Sequence, residues 1–227
     1  VRALPRSRDP DEPAGLASRG RPSGRRPLSD LQRSRLGPTV SVDLDSPKVR
    51  TDLVLRARAM TELVWPEVPL RAGCAHLVAS FGAICASRGV RVGVQGGTAS
   101  WRRLPEELDD GVVATHFSYV LELDSPTGLA RWARDLLPEM HVWAILPDRE
   151  EAVDLTLGDL PEQCEIAGRL PWLMPRPPAF GWWRWSEEPP GVYAPTVEGC
   201  EIASLAVSRL VGHLRSVKAW TSRPRPG

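Results

Sequence analysis

The stretch HVWAILPDREEAVDLT, residues 141–156, carries a histidine and an aspartate thirteen positions apart, with the turn signal Pro147-Asp148 between them. A two-residue loop there sets Leu146 opposite Arg149 in an antiparallel hairpin and His141 opposite Asp154. Directly opposed side chains share a face with Cβ atoms ~5 Å apart. A four-residue loop keeps that pairing, whereas a three-residue loop separates the two. Trp143 and Ile145 share the face of His141, with the small Ala152 opposite Trp143. A carboxylate beside an imidazole fixes its tautomer and favours its charged form, as a general base requires of its orienting group. The same contact also serves as an ordinary polar pair on a sheet.

A nucleophile candidate lies upstream. Cys74 follows Gly73 where a helix is expected to begin. The unpaired N–H groups and dipole of a helix N-terminus stabilise a thiolate, so a thiol pKa lowered toward neutrality is expected. Those N–H groups could also donate to a developing oxyanion. Otherwise Cys74 is only the first residue of an apolar helical stripe.

These residues need a scaffold. Ser46-Pro47 has the form of an N-cap and first turn, after which Leu53, Val54, Ala57, Met60 and Val64 recur at helical spacing until Pro66. From Cys74, the positions Leu77, Val78, Phe81, Ile84 and Cys85 form one buried face, closed by Gly89. VRVGV reads as a strand leading to a break at Gly96-Gly97. In HFSYVLEL, His116, Ser118, Val120 and Glu122 alternate with Phe117, Tyr119 and Leu121. GLARWARDLLPEM supplies a short helix, HVWAIL and EAVDLT the hairpin. A last helix carries Cys200, Ala203, Val207, Leu210, Val211 and Leu214. Helices early and late with strands between predict an α+β domain over 46–217 around an antiparallel sheet. In 171–195, four of the nine Trp sit among many prolines, a composition suited to covering a sheet without forming ladders, or to walling a cleft.

LRAGCAHLVASFGAICASRGVRVGVQGG resembles the nucleophile segment of the transglutaminase-like superfamily, in which Gly-x-Cys opens a helix, Arg-x-Gly-Val/Ile ends it and a strand runs to a glycine. MHVWAILPDREEAVDLT resembles its His-x-Trp and Asp-Pro-Thr strands, with Leu155 in place of the proline. The resemblance covers roughly 70–97 and 140–156. It implies a papain-like core with Cys74 as nucleophile, His141 as base and Asp154 as orienting carboxylate, acting on an amide or ester of a peptide or protein and needing no cofactor. Hydrolysis through a thioester is the expected outcome, transfer to an amine the alternative, and a non-catalytic binding module keeping the fold a third reading. Gln95 or Trp65 could supply a second oxyanion donor. Trp143, Gln95 and His116 are candidate substrate contacts, and His116 is also a competing base.

Other readings find less support. His76 lies about 200° around the helix from Cys74, and Cys-x-His lacks the helical spacing for a shared zinc ion. His213, near a helix C-terminus, needs no functional role. GVQGGT lacks the Lys-Ser/Thr of a phosphate loop. Residues 1–38 hold nine Arg against four acidic residues, in a chain of net charge +1, leaving a mildly acidic body without a basic-aromatic stripe for nucleic acid. Residues 1–45 and 218–227 have tail composition, too poor in apolar residues to offset ordering. Four cysteines without CxxC, no apolar run of membrane length and no secretory h-region together predict a cytoplasmic protein.

Overall fold

The computed structural model describes residues 42–103, 116–121, 139–168 and 171–221. All belong to the second of the chain's two units, 39–227. The tail through residue 41, residues 222–227, and nearly all of the helix expected over GLARWARDLLPEM lie outside them.

Helix α1 spans Pro47–Val64, with Ser46 as N-cap and proline in the first turn, and buries Leu53, Val54, Ala57 and Thr61. Helix α2 is Cys74–Ala86, and its buried face includes Leu77, Val78, Phe81, Ile84 and Cys85. Gly89, at φ 75°, takes the left-handed conformation just past it, where a side chain would be strained. A hydrogen bond of 2.9 Å from Thr61 to Ser80 joins the two helices inside the core. Helix α3 is Leu160–Gly168, and α4, Val197–Thr221, extends into the positions assigned to the C-terminal tail.

Among the described residues six strands make one sheet, every pairing antiparallel: β1 (Gly93–Arg102), β2 (His116–Tyr119), β3 (His141–Leu146), β4 (Glu151–Asp154), β5 (Gly181–Arg184) and β6 (Val192–Pro195). β1 is the hub. Gly97 pairs with both His141 and Pro195, and Ala99 with both Tyr119 and Tyr193. β2 and β3 therefore follow one another along one edge of β1, and β6 occupies the other.

Period-2 alternation divides the sheet's two faces. Val142, Ala144, Leu146 and Val153 join the helices in the main core, with Phe81 of α2 edge-on to Trp182 at 5.9 Å. His141, Trp143, Ala152, Asp154, Trp183 and Tyr193 lie on the opposite face.

Two expectations fail here. The strand does not break at Gly96-Gly97 but runs through both residues. A Cβ on Gly96 would stand 2.5 Å from the carbonyl oxygen of Gly199 and collide with Met140, and one on Gly97 would collide with the backbone of Ala194. The glycines are there for close approach by α4 and β6 rather than for a turn. Nor does the Trp/Pro-rich segment merely cover the sheet. It contributes β5, paired to β4, and β6, paired to β1. Its prolines fall before β5, between the two strands and at the last position of β6, outside the interior of either strand.

Candidate active site

The hairpin register differs from the expectation. Leu146 pairs with Glu151, Ile145 with Ala152 and Ala144 with Val153. The loop is Pro147–Glu150, a 3₁₀ turn ending on Glu150 in the left-handed region at φ 55°. Ala152 thus opposes Ile145, not Trp143, and His141 is diagonal to Asp154 rather than directly across. The shift is two residues, so every side chain keeps its face and the pair still meets: His141 Nε2 lies 3.0 Å from Asp154 Oδ2, both side chains essentially inaccessible.

Asp154 is held from both oxygens. Its Oδ1 accepts from the backbone N–H and the hydroxyl of Thr156, each at 2.9 Å, and its Oδ2 accepts from Tyr193 Oη at 2.6 Å as well as facing His141. Arg58 of α1 fixes the following turn through paired bonds of 2.9 and 2.8 Å to Asp159 and one of 3.1 Å to the Leu155 carbonyl. Burial alone would push the carboxyl pKa up. His141, Tyr193 and the Thr156 N–H outweigh it and hold the group below its ordinary value, so the carboxylate form is secured.

The imidazole is packed in aromatic rings. Tyr119 stacks on it at 5.4 Å and Trp143 at 5.9 Å, while Trp101 meets it edge-on at 5.1 Å. With Nε2 on the aspartate, Nδ1 is the atom left for proton exchange.

Cys74 opens α2 as expected; the residue as a whole is half-buried, and its thiol is enclosed. Its thiol meets the N–H groups of Val142, Ala75 and Cys74 itself, and the negative charge of Asp154 bears on it. Val142 adjoins His141 in β3, beyond the last β3–β4 pair, Ala144–Val153. The thiol pKa is not lowered, however. Burial pushes it up to about 11, the Asp154 charge adds to the rise, and the three N–H groups recover only part. Cys74 therefore rests as a neutral thiol.

The remaining candidates separate. Gln95 pairs with Trp143 across β1 and β3, and its Oε1 accepts from Trp143 Nε1 at 2.9 Å. Both line a cavity of about 190 Å³. Trp65 is buried in the helical layer against His76 at 5.0 Å and His213 at 5.8 Å. Burial lowers the His76 pKa. The backbone of His116 pairs with Arg102, and its side chain is outside the described residues. Cys85 and Cys164 are buried, and Cys200 contacts the Gly96 carbonyl at 3.6 Å. Among the described residues no three His, Cys, Asp or Glu side chains form a metal-binding group, and no helix is long and apolar enough to cross a membrane.

The sequence reading missed Tyr193, Tyr119 and Trp101. Tyr119 lies on the alternating strand HFSYVLEL, on the face opposite His116, where an aromatic residue reads as core. Tyr193 has no local signal, being 39 residues from the aspartate that it serves. Tyr193→Phe removes one short bond to a buried carboxylate and is expected to cost about 1.5–3 kcal/mol, read from the shift in urea midpoint at constant slope.

In comparisons with known proteins, no family model, curated protein or solved structure matches this chain.

Proposed function

We propose that the protein is a cysteine-nucleophile acyl-transfer enzyme of the transglutaminase-like, papain-like kind, hydrolysing an amide or ester of a peptide or protein through a thioester. The observation that carries this reading is the buried 3.0 Å contact of His141 Nε2 with Asp154, with the Cys74 thiol at the amide of the neighbouring Val142.

The chemistry follows from the protonation states. Because the thiol is neutral at rest, His141 Nδ1 takes its proton as sulfur attacks the carbonyl carbon, and Asp154 stabilises the imidazolium. N–H groups at the start of α2 face the resulting oxyanion. When the tetrahedral species collapses, the C–N or C–O bond breaks and the imidazolium proton passes to the leaving group, leaving a thioester. Water, deprotonated by His141, then attacks the thioester and releases an acid and the thiol. An amine in place of water gives transfer. Hydrolysis is the simpler assignment because it needs no second substrate site.

The raised thiol pKa favours the competing reading, a binding module that keeps the fold without the reaction. Iodoacetamide labelling followed by peptide mass spectrometry separates them. Cys74 is expected to react faster than Cys85, Cys164 and Cys200, with a rate that climbs toward pH 11 instead of levelling near neutrality. His141→Ala should slow Cys74 at neutral pH by about 10²-fold. A rate at Cys74 indifferent to His141 would refute the enzyme assignment.

A further inference from the structure

The face that carries His141 and Asp154 also holds an aromatic box with no part in the steps above. Trp143, Trp183, Trp185 and Tyr193 line its cavity of about 190 Å³, together with Gln95 and Glu187. Tyr193 lies 4.9 Å from Trp183 and 5.3 Å from Trp143, ring centroid to centroid. Taking ~30 Å³ per water, the space equals about six waters, enough for a compact head group but not for a whole peptide.

The box is built rather than incidental. The Trp143 indole is oriented by its bond to Gln95. The Tyr193 hydroxyl is committed to Asp154, so only its ring serves the cavity. The Glu187 carboxylate is fixed at the mouth by the backbone N–H of Arg184, at 2.8 Å, in the turn after β5. Among the described residues no lysine or arginine lines the space, and Glu187 is its sole charged residue. The Arg184 side chain lines a separate cavity, beside Glu151.

Indole and phenol faces are electron-rich and attract a cation held against them, most strongly where water is displaced. A carboxylate at the rim adds charge complementarity. An anion would face the Glu187 carboxylate with no cationic side chain among the lining residues to offset it, and a neutral apolar group would gain nothing from Glu187. We infer that this box binds an alkylammonium head, carried on the substrate as an unreacting group and recognised next to the His141–Asp154 pair.

The inference rests on the proposed enzyme for the word substrate, but binding can be tested apart from catalysis. The probe is choline, with 3,3-dimethylbutan-1-ol as its neutral isostere, titrated into the full chain and followed by tryptophan fluorescence and calorimetry. Choline is expected to bind at least about tenfold more tightly than the isostere. Trp185 and Glu187 are both exposed, so Trp185→Ala and Glu187→Gln should leave the melting temperature nearly unchanged while weakening choline about three- to tenfold. Equal affinity for choline and isostere, insensitivity to both substitutions, or no saturable binding of choline would each overturn the inference. Cys74→Ala should bind choline normally. Choline binding in a protein whose Cys74 labelling ignores His141 would leave the box standing and remove the enzyme, and the opposite pattern would do the reverse.

Discussion

Asp154→Ala is expected to destabilise the fold by about 3–5 kcal/mol, the cost of stripping the partner from a buried hydrogen-bonded charge cluster. The carboxylate is fully inaccessible and receives Tyr193, both donors of Thr156 and the contact of His141. All four groups would lose their acceptor where little water can replace it. Asp154→Asn keeps the volume but not the acceptors. One oxygen now faces two donors from Thr156 and the other faces Tyr193 and His141, so the amide nitrogen must oppose one of these sets. About half of the alanine penalty is expected, measured as the difference in urea midpoint multiplied by a common slope. Acid sensitivity gives an independent check. Because the pKa of Asp154 is depressed in the folded state, its contribution is complete above the ordinary carboxylate range and disappears as pH falls through the folded value. Asp154→Asn should therefore flatten the acid limb of the stability curve. The same substitution removes the group that sets the His141 tautomer, so any thioester formation should fall with it.

The second large effect is expected at Glu151, which lies on the helical face and has no part in the proposed chemistry. It is 1% exposed, takes Arg50 Nη2 at 3.1 Å on one oxygen, and Arg149 Nε and Trp182 Nε1, both at 3.0 Å, on the other. Arg50 also bonds the Leu44 carbonyl at 2.6 Å and lies over the Trp182 ring at 4.8 Å. This one carboxylate ties α1, and through Arg50 the segment before it, to β4 and β5. Its removal takes the buried carboxylate from two guanidinium groups, but Asp45 still faces both of them, and their side chains are 23% and 31% exposed and can turn toward water. Glu151→Ala should therefore cost about 2–4 kcal/mol, somewhat below the value for a fully enclosed pair. A double-mutant cycle with Arg50→Met should return a coupling of about 1–3 kcal/mol. Limited proteolysis near residues 43–45 should accelerate in the single mutant.

Local patterns made the helix that opens on Cys74 and the hairpin legible. Ser46-Pro47, the apolar spacing from Leu77 to Cys85 and Gly89 each describe a few adjacent residues, and each is found where those residues predict. The His141–Asp154 meeting was also legible, because a slip of two residues preserves the face of every side chain. The exact loop was not, since only the left-handed Glu150 reveals it. Gly96 and Gly97 were misread because a glycine that admits a neighbouring backbone and one that permits a turn look alike in one dimension. The Trp/Pro-rich stretch hid two strands of four residues each, too short for alternation to register. The thiol pKa was misjudged for a related reason. A helix terminus is visible in sequence, but the layers that enclose it come from elsewhere in the chain.

That β1 carries β6 on one edge has a bearing on biosynthesis. Translation delivers the sulfur, the ring and the carboxylate well before Tyr193, and β1 must wait about ninety residues for the strand that brings it. Pairings that distant form late and slowly. A nascent chain therefore emerges with His141 and Asp154 made but their phenolic clasp absent, and the buried cluster closes only when the final strand docks.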